Sequence, residues 1–356
     1  MSFLFTFHFP LMLGQGNVFY TEQLCLATKG TVRIKVFYHD KCFDGACSAA
    51  LFMRFYHERI RERAEFEYQG LVHRAGALFN EADFTGDENA IVDFKYSASP
   101  RITWWFDHHQ SAFLTPEDAS HFEQQQSNKK FYDPDFRSCT KFIATVTEQR
   151  FGFNPEPVAE VIEWADIIDG ALYDSPQAAV EMKAPATKLT MLIESNQDPR
   201  FIPSLIPALA YKPLAEIVAE PHIAERLPQL LERHRQSIEI MRQRAECKDG
   251  TIFFDVTDHD LEGYNKFVPY YLHPNCLYSV GLSKSSFRTK VSVGSNPWAT
   301  ASYMENLAKI CERYGGGGHA RVGAISFPPN MFDQARQAAA EIVEELRASY
   351  REHEGL

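Results

Sequence analysis

The sequence has no CxxC pair, no surplus of basic side chains, no long low-complexity tract and no convincing internal repeat. Its seven cysteines, at positions 25, 42, 47, 139, 247, 276 and 311, are odd in number. That fits reduced thiols in a cytoplasmic protein better than a disulfide framework. Lys and Arg total 36 against 47 Asp and Glu, a net charge of −11. Such a balance opposes tracking of a long nucleic-acid backbone by charge alone, so no long duplex DNA is expected. It does not oppose a short phosphorylated compound held at a metal centre. The apolar stretch Met1 to Leu13 lacks a basic flank and is too short to span a bilayer. It reads as an extra strand or arm, or an overlong gene start, and no membrane association is expected. What remains is an ordinary globular composition, 45% hydrophobic and 23% charged over 356 residues, enough for about two domains.

Val32 to Tyr38 alternates apolar and basic side chains, which is strand periodicity. Ala46 to Arg63 then reads as a helix with its arginines near the C-terminal end. Short apolar runs follow at Glu67–Val72, Ala90–Phe94 and Arg101–Phe106. Cys139–Gly170 and Ala178–Glu194 look helical, and Lys212–Cys247 reads as a helical connector broken by Pro213, Pro221 and Pro228. After Gly250 the texture changes. Strands are expected at Thr251–Thr257, Leu277–Ser283, Arg288–Gly294 and Arg321–Phe327, with helices at Ala299–Tyr314 and from Asn330 to about Glu352. The expected class is α/β. A mostly parallel sheet flanked by helices (32–185) follows an N-terminal extension (1–31). A helical connector (186–247) then leads to a smaller C-terminal α/β domain with a mixed sheet (248–356).

Five constellations carry chemistry. Tyr38-His39-Asp40-Lys41-Cys42-Phe43-Asp44-Gly45 joins a strand to a helix, where His39, Asp40 and Asp44 would meet near the carboxyl edge of the sheet. A plain strand-to-helix turn with Asp44 as N-cap is the competing structural reading. Asp93 follows the run Ala90-Ile91-Val92, and a lone Asp there is equally a turn residue. Trp105-Phe106 leads into Asp107-His108-His109, three consecutive side chains able to bind metal. Asp166 and Asp169 are three apart and share a helix face, with Gly170 as a stop. Gly315 to Gly318 followed by His319 offers backbone N–H groups to an anion, with Arg288, Lys290 and Arg321 nearby in sequence as cations.

In this order the segments resemble the DHH phosphoesterase superfamily, over about residues 32 to 327. Asp107-His108-His109 matches the namesake motif, and Gly315 to His319 the glycine-rich motif of the C-terminal substrate-binding domain. The resemblance implies a hydrolase that uses two divalent ions, usually Mn²⁺, with Fe²⁺, Zn²⁺ or Mg²⁺ as other choices. Carried over by position, it places ligands at His39 or Asp40, at Asp44, at Asp93 between the ions, and at Asp107. His108 would bind metal or phosphate, and His109 would contact the scissile phosphate or support the cluster. Asp166, with Asp169 competing, would supply the fourth motif. Arg288, Gly316, Gly317, Gly318 and His319 would hold the substrate. Asp107, His108 and His109 form the catalytic set. Many members carry Asp where this chain has Cys42, and a thiolate suits Zn²⁺ or Fe²⁺ better than Mn²⁺.

The implied activity is cleavage of phosphodiester bonds in short oligonucleotides or in linear or cyclic dinucleotides, as in RecJ-like exonucleases and oligoribonucleases. Hydrolysis of polyphosphate or pyrophosphate is the second enzymatic reading. A nucleotide-binding protein on a degenerate scaffold is the third, motivated by Cys42. A homodimer is left open. Trp104 and Trp105 are expected in the core, Trp298 at a turn into a helix, and His73 as a surface or hydrogen-bonded histidine.

Overall fold

The computed structural model describes residues 30–73, 78–125, 127–259, 261, 263–301 and 303–354. The extension expected at 1–31 lies outside them but for its last two residues. The first half contains β1 (Val32–His39), α1 (Phe43–Phe55), β2 (Ala64–Leu71), β3 (Glu88–Val92), β4 (Ile102–Asp107), α2 (Pro116–Gln124), β5 (Lys130–Tyr132), α3 (Cys139–Phe151) and α4 (Ala159–Asp169). Its five strands run in the order β2-β1-β3-β4-β5, all parallel. This is a doubly wound sheet whose strand order reverses beside β1 and β3, the place where such sheets bind ligands.

Period-two alternation builds two apolar layers on that sheet. Val36, Tyr38, Ala90, Val92, Trp104 and Phe106 face one side, against Phe52 and Phe55 of α1. Phe37, Ile91 and Trp105 face the other, against Phe84 and Phe94. Trp104 and Trp105 are thus core residues on opposite faces. Their indole N–H groups donate to Glu88 Oε2 (2.7 Å) and to the Phe94 carbonyl (2.9 Å), so neither polar atom is stranded. The α1 helix is shorter than its charge pattern suggests. It gives way to a π-helical turn at Tyr56–Ile60 before β2 begins.

Helices α5 (Pro176–Val180), α6 (Pro185–Ser195), α7 (Phe201–Tyr211), α8 (Leu214–Ala219), α9 (Pro221–Ala224) and α10 (Leu227–Arg244) form the middle of the chain. Pro213, Pro221 and Pro228 sit at the starts of α8, α9 and α10. There the missing N–H costs nothing, so the prolines start helices where the sequence suggested breaks.

The last part holds β6 (Glu246–Lys248), β7 (Thr251–Asp255), α11 (Val268–Leu272), β8 (Tyr278–Lys284), β9 (Thr289–Ser295), α12 (Leu307–Glu312), β10 (Gly317–His319), β11 (Val322–Phe327) and α13 (Phe332–Glu354). Its sheet, in the order β10-β11-β9-β8-β7-β6, is mixed, with only β7 and β8 parallel.

Three expectations change here. The helix expected over Ala299–Tyr314 is only Leu307–Glu312. Asn306 caps it, and the Glu305 N–H just before that cap is taken by the Tyr278 hydroxyl instead of a helical carbonyl. The glycine-rich segment, read from the sequence as an anion-binding stretch, ends in a short edge strand, Gly317–His319. A Cβ on Gly316 would lie 2.3 Å from the Ala324 carbonyl oxygen, and one on Gly318 would lie 2.2 Å from that of Val322. Those two glycines therefore permit close pairing with β11, while Gly317 faces open space. Finally, Cys247 and Cys276 form a disulfide with Cα atoms 6.7 Å apart, against the expectation of reduced thiols throughout. Spacing along the chain gave no hint of it. The pair is made in space, because β6 folds back on β7 and the Gly250 carbonyl accepts from the Leu277 and Tyr278 N–H groups.

Candidate metal centre

Strand register assembles the site. Tyr38 pairs with Val92 and Val92 with Phe106, so the next residues, His39, Asp93 and Asp107, emerge side by side at the carboxyl edge. The chain turns sharply there. Lys41 and Asp93 both have positive φ, 55° and 56°, a conformation that short polar Asp tolerates better than most side chains. Gly45 is required by crowding: a Cβ would lie 2.2 Å from the His39 carbonyl oxygen.

His108 stands among three carboxylates. Its Nε2 is 3.4 Å from Asp93 Oδ1, 3.5 Å from Asp169 Oδ2 and 3.7 Å from Asp44 Oδ2. Its Nδ1 is 3.0 Å from the Phe136 carbonyl, which fixes Nδ1 as the donor and leaves Nε2 directed at the carboxylates. His39 Nδ1 is 3.4 Å from Asp93 Oδ2. Asp107 is fully buried. Its Oδ1 accepts from the His108 and His109 N–H groups and from His109 Nδ1 at 2.7 Å. Asp44, also buried, accepts from the Cys139 and Thr140 N–H groups at the start of α3 and from the Thr140 hydroxyl. It thus anchors a second helix instead of capping its own.

Several buried polar atoms have no hydrogen-bond partner: His39 Nδ1, both oxygens of Asp93, Asp107 Oδ2 and His108 Nε2. Buried groups left unpaired are costly, and five in one place make a site that could hold a cation. Three sets of ligand atoms lie within 4.8 Å of one another: His39, Cys42 and Asp93; Asp93, His108 and His109; Asp44, His108 and Asp169. Asp93 and His108 each belong to two of them. The donors, imidazole nitrogen and carboxylate oxygen with one sulfur, fit divalent first-row ions.

The electrostatics agree. Burial alone would lower the pKa of His108. The approach of Asp93 Oδ1 to 3.4 Å and the charges of Asp44, Asp93 and Asp169 prevail and raise it to about 10. For His109, burial is outweighed by the hydrogen bond to Asp107 and the nearby carboxylates, which raise it to about 9. Burial and the neighbouring carboxylate of Asp93 push Asp44 and Asp169 up. Asp93 itself is held well below the usual range: the His108 and His39 nitrogens, each 3.4 Å from one of its oxygens, overcome its burial. The histidines stand in for the positive charge that metal ions would bring.

Of the residues singled out in the sequence, the structure brings together His39, Asp44, Asp93, Asp107, His108 and His109. Two pairs of alternatives are placed differently. Asp169 reaches the cluster and Asp166 does not, because Asp169 lies at the end of α4 while Asp166 is a turn earlier and accepts from the Ser138 hydroxyl at 3.2 Å. Asp40 is also outside the ligand sets. Its Oδ1 accepts from the Lys41 N–H, and it packs beside Gly70. Gly316, Gly317, Gly318, His319 and Arg288 lie on the second sheet or at its border, where Arg288 reaches Ser326 Oγ at 3.5 Å. Two residues were missed. His73 packs edge-on against the His39 ring at 5.0 Å and stacks on Phe94. The signal was topological, since β2 ends beside β1 with Leu71 opposite His39. Lys266, between β7 and α11, lies near enough to Asp169 and Glu194 to favour their charged forms.

No protein-family model matches the sequence, and no curated protein is significantly similar to it. Solved structures do share its fold. The pGpG-specific phosphodiesterase PggH from Vibrio cholerae superimposes with a TM-score of 0.63 at 17% identity, covering 89% of this chain and 99% of that one. A DHH-domain member of the s1p family of ribosomal proteins gives 0.54 at 14% identity, over 88% and 87% of the chains. RecJ from Thermus thermophilus, in complex with Mn²⁺, gives 0.50 at 14% identity, over 88% of this chain and 52% of RecJ. The chain therefore shares its fold with these proteins, one of which is described as a DHH domain. Within that fold, PggH is a counterpart matched over nearly its whole length.

Proposed function

We propose that the protein is a metal-dependent phosphoesterase that cleaves phosphodiester bonds in linear or cyclic dinucleotides or short oligonucleotides. One observation carries the reading: five buried, unpartnered ligand atoms converge at the carboxyl edge of the parallel sheet. The shared fold supports it, since one such neighbour acts on pGpG and another binds Mn²⁺. His39, Asp44, Asp93, Asp107, His108 and Asp169 would hold two divalent ions, with Mn²⁺ the first candidate. Such ions, when bound, supply Lewis-acid activation of water and of the attacked phosphate.

The chain's own groups would do the rest. Asp107 orients His109 through Nδ1, so the proton on His109 Nε2 is the one available to the leaving oxygen. Phe136 sets the tautomer of His108 and keeps Nε2 toward the carboxylates. The second sheet, with Gly316, Gly317, Gly318, His319 and Arg288, would bind the remainder of the substrate. In this reading residues 32–185 form the catalytic domain, 186–247 the connector and 248–356 the substrate domain of a cytoplasmic protein.

The test is hydrolysis by the purified protein with Mn²⁺ of pApA, pGpG, cyclic dinucleotides, short RNA and polyphosphate side by side. Mononucleotide release from the dinucleotides is expected. Selective turnover of polyphosphate would move the substrate class, and undiminished activity after Asp107→Ala and His108→Ala would sink the assignment.

A further inference from the structure

The three ligand sets differ in their chemistry. Two contain only nitrogen and oxygen donors, Asp93 with His108 and His109, and Asp44 with His108 and Asp169. The third, His39 with Cys42 and Asp93, contains sulfur. Resting on the metal-centre reading above, we propose that Cys42 is a thiolate ligand. The His39–Cys42–Asp93 position then selects a borderline ion, Zn²⁺ or Fe²⁺, over Mn²⁺ or Mg²⁺, making the centre chemically unsymmetrical.

Three observations support the ligand. Asp93 is 1% exposed with both oxygens unpartnered, and His39 Nδ1 is likewise buried and unpartnered, so the two donors beside the sulfur have no hydrogen-bond partner. Cys42 immediately precedes the 13-residue helix α1, whose positive end and Gly45 N–H favour a thiolate; burial and the charges of Asp93, Asp169 and Asp44 push the thiol up, so it is a bound cation that would hold it as thiolate. The charges also balance: a neutral imidazole, a thiolate and a carboxylate carry −2, matching one divalent cation. Three protein donors of N, S and O type leave a coordination position open, as in catalytic zinc sites. Mn²⁺ and Mg²⁺ favour oxygen donors and gain little from sulfur. The other set containing Asp93 offers two imidazoles and a carboxylate, which accepts the harder ions more readily.

Cobalt tests this directly, because thiolate-bound Co²⁺ has a sulfur-to-metal charge-transfer band in the near ultraviolet that oxygen- and nitrogen-bound Co²⁺ lacks. The full chain, stripped of metal, is titrated with Co²⁺. The band should grow to saturation at one equivalent. Cys42→Ser should abolish it while visible Co²⁺ absorption from the other position persists, and Cys47→Ala, a neighbouring buried thiol outside the ligand sets, should retain it. Far-ultraviolet circular dichroism confirms that each variant is folded. In a second measurement, elemental analysis after equilibration with equal Zn²⁺ and Mn²⁺ should show Cys42→Asp losing Zn²⁺ preference by ~10-fold or more. Co²⁺ uptake without the band, or a band that survives Cys42→Ser, overturns the thiolate assignment and leaves the metal centre standing. Failure to bind any divalent ion overturns the metal centre itself.

Discussion

For the metal-free site to accept ions, His108 must release the proton that it holds at neutral pH, and His109 must do so as well where it enters the donor set with Asp93 and His108 instead of keeping its proton for the leaving oxygen. With His108 raised to about 10 and His109 to about 9, both are imidazolium at pH 7.5. Removing those protons costs roughly 1.4 kcal/mol per unit of pH below each value, so about 5 kcal/mol for the pair. The cost falls as pH rises, and apparent affinity for Mn²⁺ should grow in step. Between pH 6.5 and 8.5 it should rise ~10⁴-fold if both protons are displaced and ~10²-fold if only one is. Calorimetry in buffers of different ionisation enthalpy counts the protons released, and competition with a fluorescent chelator gives the affinities. The sign for stability is the opposite. A histidine raised in the folded state stabilises fully below its unfolded value near 6.5, and this contribution is lost as pH climbs through about 9 to 10. Asp44 and Asp169, also raised, act in the same direction. Metal-stripped protein should therefore melt progressively earlier from pH 7 to 10, while metal-loaded protein should not. An affinity for Mn²⁺ independent of pH, with no proton released, would refute the claim that these imidazoles occupy the place of the ions.

Asp169→Asn should lower bound metal by elemental analysis. Asp166→Asn should leave it unchanged and cost at most about 1 kcal/mol in urea unfolding, from its hydrogen bond with Ser138; equal effects would contradict the placement at the end of α4. Gly45→Ala puts a methyl against the His39 carbonyl, so it should destabilise the fold by about 1–3 kcal/mol and weaken metal binding, both read from unfolding curves with and without Mn²⁺. Unfolded without reductant, the chain should titrate five of its seven thiols, because Cys247 and Cys276 are paired; a count of seven would exclude the disulfide.

The parallel sheet and its ligand-bearing ends were legible because β1, β3 and β4 each end in a change from apolar to polar side chains. Alternation set which residues face the two core layers, and the end of each run marked the carboxyl edge. What could not be read was decided by placement between elements. Asp166 and Asp169 share one face of α4, and only the axial position of that helix decides which carboxylate reaches His108. His73 depends on β2 lying next to β1, a choice of strand order that no local pattern contains. The helix expected at Ala299–Tyr314 is shortened because the hydroxyl of Tyr278, remote in sequence, claims the Glu305 N–H and Asn306 then caps a helix that begins at Leu307.

The same distinction bears on how the site can vary. His39, Asp93 and Asp107 are aligned by backbone register, and Asp44 is tied to the start of α3 by two backbone N–H groups. These positions are costly to alter, since each is bound to the packing of a strand or helix. Cys42 sits in the turn between β1 and α1, with no side-chain capping bond to lose. Its identity can change without disturbing the sheet. On the proposal above, the platform would fix where the ions lie, while one turn residue would tune which ion is held. Metal preference is accordingly the property of this centre most free to differ between chains that share the fold.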